Sequence, residues 1–533
     1  KCLGCHGDDT GKIKAGYDMR TTEGLLKGGD SGAAAVVAHQ PEKSPLYLSI
    51  LRDHDDWEAM PPKENDALNA EQIAWIKDWI SGGAPWPDEA RRAEITQAAD
   101  KWLSGEGVTV KVTGALSEDW ANRRYKPEDL WAYQSLRKPA VPKSNAQNPI
   151  DAFIAAALPE GLEPAPRADD ATLLRRLSFT LTGLPPAKRA FGDWAAEIDE
   201  QLSSPHYGER MARHWLDLAR YADSSGFAND YERGSTSRYR HYVIRAFNAD
   251  NPYDQFIKEQ IAGDEIDPND PEKLIATGFL RMGPWELTGM EVAKVARQRF
   301  LDDVTNAVGV TFLGQALECA RCHDHKFDPV PTHDYYAIQS VFATTQLADR
   351  PAPFLKEENT GGFEEMEYLK KRQEEHQAEI ARIDAFQVQA ARAWLAERNI
   401  DPAPFEAALA QPKDPNAKGR KNAGFNRARS ALVAQKVPAD QIPPRHVGFT
   451  PEEYGRQRVA SKGLERIAWE MERYKPVAFS VYNGKTPSVA SVTSPMRMPA
   501  NPMAKGELER TAILAGGDPF SPTKEVKPAP LSV

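Results

Sequence analysis

The sequence predicts a mainly α protein with minor β structure near its C-terminus. Two observations predict it. Apolar residues recur at three- and four-residue offsets, the helical period, in runs along most of the 533-residue chain. Strand-like alternation is confined to two short stretches, Val108 to Val112 and Val477 to Val492. At this length roughly two to four domains are expected. A third observation organises them: all four cysteines fall in two copies of one pattern, Cys2-x-x-Cys5-His6 and Cys319-x-x-Cys322-His323.

Residues 1–90 make the first expected domain. Two cysteines separated by two residues and followed at once by histidine form the attachment pattern of a c-type haem. On a helical turn, residues three apart share a face, so both sulfurs can reach the vinyl groups of one porphyrin. The imidazole then meets the iron from the same side. A zinc half-site, a redox dithiol or a disulfide would use the same cysteines. Against these, no second Cys pair lies near either motif, and with only 11 histidines in the chain one still follows each pair. Further on, Met60-Pro61-Pro62 ends a polar loop. A helical run from Leu68 to Ile80 comes next, with Ile73, Ile76, Trp79 and Ile80 at helical spacing, and Gly82-Gly83 stop it. Thioether sulfur is a known partner of His in cytochromes c. His6 and Met60 are therefore the expected axial pair, with His39 and His54 as alternatives. Ser44 is expected as N-cap, and Pro45 as first residue, of a short helix ending at Leu51. This stretch resembles a class I cytochrome c domain.

Residues 91–147 show no chemistry and read as a connector, ending in the Pro-bearing run Lys138 to Pro142. Residues 148–346 then read as a helical domain carrying the second haem motif. Asn148 and Pro149 start one helix, and Asp169 to Leu181 forms another, stopped by Gly183-Leu184-Pro185-Pro186. Tyr207 to Asp223 forms a long helix on which Arg213, His214, Asp217 and Tyr221 recur at three- and four-residue offsets. Flanked by Trp215 and Leu218, this set suggests partial burial toward a cofactor, with ordinary intrahelical ion pairs as the alternative. Arg297 to Phe312 is a further helix that feeds the second motif. There His323 is the expected proximal ligand and His214 the preferred distal one, with His241, Met282, Met290 and His325 as runners-up. Asp324, His325 and Asp328 are expected to order the propionate surroundings or to bind a cation such as calcium, and Arg321 and Lys326 to neutralise propionates.

These motifs together resemble the planctomycete cytochrome c-domain proteins. The resemblance rests on Cys2-x-x-Cys5-His6 and Met60-Pro61-Pro62, then on Leu174-Arg175-Arg176-Leu177-Ser178 and Leu181-Thr182-Gly183-Leu184-Pro185-Pro186. It continues through Arg213 to Asp223 and through Cys319 to Pro329. It covers roughly residues 1–90 and 125–346, and weakly 476–533. It implies an exported protein in which a small cytochrome domain precedes a larger domain of uncharacterised function, with a third such domain after it. It also implies a link to polysaccharide breakdown, without a proven reaction.

The last third is a polar helical arm with loops over 347–475, then the start of a further C-terminal domain over 476–533. Glu364 to Arg398 is dense in Glu, Lys, Arg, Gln and Ala, and is expected as a solvated hairpin or coiled arm. Residues 411–424 read as a loop. Asn483-Gly484 signals a hairpin within Val477 to Val492, and Met496 and Met498 are expected to pack rather than ligate. The Pro-rich tail ends at Val533 without a closing element, so the polypeptide is expected to continue.

A net charge of −10 argues against a nucleic-acid partner bound through phosphates. No apolar run approaches the length of a membrane span. Attachment of c-type haem takes place outside the bacterial cytoplasm, so the motifs predict a periplasmic or cell-envelope protein. Two functions follow. The first is a dihaem cytochrome that carries electrons between a redox partner protein and an acceptor. The second is a haem-dependent oxidoreductase in which Arg213, His214, Asp217 or Tyr221 serves an open second iron. Its substrate, by family context, would be a carbohydrate-derived small molecule.

Overall fold

A computed structural model describes residues 2, 6, 13–62, 67–88, 91, 107–146, 148–188, 190–228, 230–286, 291–358, 360–361, 363–412, 423–488 and 492–533. The fold is mainly helical with three two-stranded sheets among the described residues. Its contacts divide it into a small unit, Lys1–Thr109 with Arg123–Ala132, and a large one, Val110–Asn122 with Tyr133–Val533.

In the small unit, α1 (Thr22–Lys27) is capped by the Thr21 hydroxyl, which accepts from Gly24 N–H. Next comes α2 (Pro45–Leu51). Ser44 holds the N-cap position as expected, but its hydroxyl does not cap. It accepts from Val37 N–H and donates to Gln40 O instead, pinning the preceding loop. The third helix, α3 (Ala70–Ser81), opens with a full capping box between Asn69 and Gln72. Leu25, Val36, Tyr47, Ile50 and Ile80 form the core these helices enclose. Two short strands, β1 (Val108–Thr109) and β2 (Arg124–Tyr125), pair antiparallel.

The large unit begins with α4 (Pro149–Ala157), α5 (Asp170–Leu181) and α6 (Trp194–Leu202). Asn148 and Asp169 cap the first two through their side-chain oxygens. Its main core lies among α7 (Pro205–Leu218), α8 (Thr236–Asn248), α9 (Tyr253–Ile266), α10 (Pro271–Ala276), α11 (Ala293–Val308) and α12 (Thr332–Val341). Helices α7 and α8 meet closely at Gly208, where a Cβ would lie 2.4 Å from Ile244 O. The expected helix 297–312 stops as α-helix at Val308 and continues as a π-turn over Gly309–Leu313.

Strand β3 (Thr345–Pro351) follows, and its partner corrects the sequence reading. Residues 477–492 do not fold back as a hairpin at Asn483-Gly484. Instead β4 (Val477–Asn483) pairs antiparallel with β3 along its whole length. All of β4 but its last residue is buried, so the two strands join residues 345–351 and 477–483 in one core. Of the two forms expected for 364–398, a hairpin or a coiled arm, the structure has no hairpin there: it is a single 34-residue helix, α13 (Glu364–Glu397). It packs against α16 (Pro451–Glu470) and, with α14 (Ala403–Ala410) and α15 (Gly424–Ala434), encloses a second core around Leu395, Phe405, Phe425 and Leu432. Ten residues of the 411–424 loop fall outside the described residues. Strands β5 (Ala512–Leu514) and β6 (Pro522–Glu525) close the chain. No helix among the described residues is long and apolar enough to cross a membrane.

Candidate haem sites

Cys2 and His6 stand one turn apart, with His6 N–H donating to Cys2 O at 3.0 Å; Cys5 lies outside the described residues. His6 Nδ1 sits 3.2 Å from Lys14 O. A carbonyl only accepts, so Nδ1 carries the proton and Nε2 keeps the lone pair that a metal needs. A backbone acceptor on the far nitrogen is the usual device for orienting a ligating imidazole. Tyr17 lies beside this motif, its ring centroid 5.3 Å from His6. The Tyr17 hydroxyl is buried without a hydrogen-bond partner among the described residues. Burial first, and the neighbouring Cys2 second, push its pKa up. A donor left unpaired beside two attachment residues fits a haem that brings its own acceptors, and Cys2, His6 and Tyr17 are the described residues that would hold it. Met60, half-buried, belongs to the same unit, its N–H donating to Ser49 O at 3.0 Å after α2. Of the two alternative ligands, His39 Nδ1 lies 3.0 Å from Ser81 O, the same arrangement as His6, and His54 Nδ1 accepts from Asp56 N–H at 3.1 Å.

The second motif sits on the 3-10 turn Leu317–Arg321 between α11 and α12. Cys319 and Cys322 are free thiols, and both are exposed. His323, also exposed, repeats the arrangement of His6, with Nδ1 2.8 Å from Asp324 O and Nε2 left as the basic nitrogen. Both sulfurs and the imidazole therefore reach the surface without competing bonds at Nε2, a set that fits covalent haem.

The residues after His323 brace the loop from within. The two carboxylate oxygens of Asp324 accept from Thr332 N–H at 2.8 Å and Leu116 N–H at 2.7 Å. His325 Nδ1 accepts from Asp328 N–H at 2.9 Å, and His325 O accepts from Trp120 Nε1 at 2.8 Å. Asp324 and His325 thus close the loop rather than face a cation. Among the described residues no three His, Cys, Asp or Glu side chains converge as a metal site. Arg321 turns inward, its guanidinium 3.0 Å from Asp302 Oδ2 and its Nη2 donating to Gly517 O at 2.9 Å, so it is not free to meet a propionate. Lys326 is exposed beside the Phe327 ring.

The distal candidates are scattered. Arg213, His214 and Asp217 are exposed on α7, whose buried face is Gly208, Ala212 and Trp215. The expected partial burial of that polar set is not found; only Tyr221, past the helix end, is half-buried, and it donates to Asp223 at 2.5 Å. Met282 is in the core, and His241 is half-buried 3.2 Å from Arg240. Burial first, then Arg240 and Arg245, hold the His241 imidazole below its ordinary pKa. Met290 lies outside the described residues.

Sequence reasoning missed three features of this region. Leu116 and Trp120 come from the stretch read as an empty connector; a Trp following a Ser N-cap, Ser117, was the available signal. Asp302, buried on α11, accepts from Tyr335, Gln339 and Gln298 at 2.8–2.9 Å while it pairs with Arg321. Gln298 and Gln339 also line a cleft of about 1060 Å³, together with Trp285, Arg297, Tyr482 and Glu509. One ion pair, Arg321 with Asp302, and the hydrogen bonds of Asp302 to Gln298 and Gln339 thus run from the Cys-x-x-Cys turn to the cleft.

Comparison with known families agrees with the order of the motifs. Residues 2–64 match the family model described as Planctomycete cytochrome C, and residues 149–347 match that of a protein family of unknown function, DUF1549. No curated protein and no solved structure matches the chain.

Proposed function

The chain has the domain layout of the planctomycete cytochrome c-domain proteins, a c-type cytochrome domain followed by a DUF1549 domain, and from that premise we propose that it is an exported dihaem cytochrome. It carries electrons between a redox partner protein and an acceptor in the periplasm or cell envelope. One observation carries the reading. The histidines that follow the two Cys pairs are oriented alike, each giving Nδ1–H to a backbone carbonyl and keeping Nε2 for iron. Bound haem supplies a one-electron couple whose potential the axial ligands set. His6 with Met60 is the axial pair we assign to the first haem, and His323 is the proximal ligand we assign to the second. A pyridine haemochrome assay on protein matured in a host that attaches c-type haem tests this. Two haems per chain are expected; one haem would leave the small unit as a cytochrome and remove the second site.

A second reading, a haem-dependent oxidoreductase, is favoured by the cleft and by its link to Arg321 through the Asp302 ion pair. In it the second iron keeps an open face and the small unit is its electron port. Arg213, His214, Asp217 and Tyr221 then serve as acid/base or positioning groups, and the substrate is a carbohydrate-derived small molecule. Spectra of the ferrous protein with and without carbon monoxide separate the readings. Two six-coordinate irons leave the spectrum unchanged, whereas an open second iron shifts half of it.

A further inference from the structure

The second Cys-x-x-Cys turn carries one charge and sits on another. Arg321 stands between Cys319 and Cys322, its side chain 32% exposed. Its guanidinium is drawn inward, with Nε 3.0 Å from Asp302 Oδ2 and Nη2 donating to Gly517 O at 2.9 Å. Asp302 lies beneath it on α11, its side chain 11% exposed. The other carboxylate oxygen, Oδ1, accepts from Tyr335, Gln339 and Gln298 at 2.8–2.9 Å. Three donors on one oxygen hold the carboxylate in place. The neighbouring acids are occupied otherwise: Asp303 pairs with Arg220, and Asp324 takes Thr332 and Leu116 N–H.

Two observations put this pair within electrostatic reach of an attachment sulfur. A Cβ built at Gly517 would stand 2.7 Å from Cys322 Sγ and 3.4 Å from Arg321 Nε, so a single point is close to both. The Tyr336 hydroxyl, which donates to Arg321 O at 2.9 Å, has its pKa pushed up by burial first and by Asp302 second. Arg321 pulls the same pKa down, and Cys322 pushes it up. Carboxylate, guanidinium and sulfur thus act on one hydroxyl. Charge at this range bears on a redox centre. Ferric haem carries one more positive charge than ferrous, so a nearby carboxylate favours the ferric state and a nearby guanidinium the ferrous one. Unit charges interact about fourfold more strongly near a protein surface than in water, and burial protects them from screening by salt.

We propose that Arg321 and Asp302 set the potential of the second haem with opposite signs, Asp302 lowering its midpoint and Arg321 raising it. Both are positioning residues that act through the field at the attachment turn, not ligands. The inference rests on the dihaem reading and names which of the chain's own charges tune the second centre. Potentiometric titration of the full dihaem chain at about pH 8, far above the ordinary carboxylate range, tests it, with haem per chain measured in every variant. Asp302→Asn should raise one of the two midpoints. The expected change is about tenfold in the ferrous-to-ferric ratio, or about 59 mV for one electron. Arg321→Gln, at the more exposed end of the pair, should lower the same midpoint, and the other midpoint should stay fixed in both variants. Loosening of the turn alone would move the two variants in the same direction. Shifts of the same sign, or two haems per chain with both midpoints unmoved, would overturn the assignment and leave the dihaem reading intact. One haem per wild-type chain would remove that reading itself, and the pair's role with it.

Discussion

In the small unit, His6 is steadied by a carbonyl eight residues away and by the Tyr17 ring, whose hydroxyl is buried and unpartnered among the described residues. In the large unit, His323 is steadied by the very next carbonyl, and the turn around it is tied to distant parts of the chain: Leu116, Trp120, Asp302, Tyr336 and Gly517. The electrostatics differ in the same sense. Two ion pairs among the small unit's described residues, Arg20 with Asp18 and Lys77 with Glu42, are solvated and contribute little. The large unit buries Arg238 with Glu358 and Arg281 with Asp349, all four side chains at 6% exposure or less. Among the described residues, Cys2 and His6 are held by few bonds to the rest of their unit, whereas the turn around Cys319, Cys322 and His323 is braced on several sides.

The largest effect should come from removing attachment at the first motif. Cys2→Ser with Cys5→Ser should leave one haem per chain and abolish the small unit's separate calorimetric transition, while the large unit's transition stays in place. The matching pair Cys319→Ser and Cys322→Ser should remove one haem and leave both transitions. If both pairs of variants unfold alike, the two motifs do not differ in their dependence on haem.

Acid should then distinguish the units. Burial draws the Glu358 carboxyl upward, but the Arg238 guanidinium and Leu355 N–H outweigh it and hold the folded pKa below the ordinary value. A lowered folded pKa means stability that is present above the unfolded carboxylate value, about 4.3, and lost as pH falls through the folded value. Glu358→Gln should cost the large unit about 3 kcal/mol near neutrality, the range for breaking a buried pair. The deficit should shrink once the pH drops below about 4, as denaturant titrations across pH would show. A deficit independent of pH would mean the loss is packing, not charge. Asp302→Asn should cost less, about 2 kcal/mol, because one oxygen can still accept from Tyr335 while the charged bond to Arg321 is gone.

How far the sequence could be read follows the same divide. Asn148 is legible as a cap because a cap is a bond between neighbours, and the Cys-x-x-Cys-His repeats are legible because attachment chemistry fixes their spacing. Ser44 misled because its hydroxyl satisfies the loop behind it, at Val37, rather than the helix ahead. The β3–β4 pairing was hidden because its strands lie 132 positions apart at Thr345 and Val477, where Asn483-Gly484 offered a nearer but unused turn. The polar set on α7 was over-read because helical offsets place residues on one face without saying which face is inside.

The smallest expected effect tests the most local part of the contrast. Gly517 has φ +76°, a left-handed conformation, and a Cβ there would stand 2.7 Å from Cys322 Sγ. Gly517→Ala should cost about 1 kcal/mol for the backbone alone, which the large unit can absorb and still fold. The added methyl also presses on the sulfur that has to reach a vinyl group. Haem content should therefore fall from two toward one per chain, with the small unit's haem untouched. If the variant folds and still carries two haems, Cys322 moves freely enough that the protein does not fix the second motif in advance, and the contrast between the two sites fails where it is sharpest.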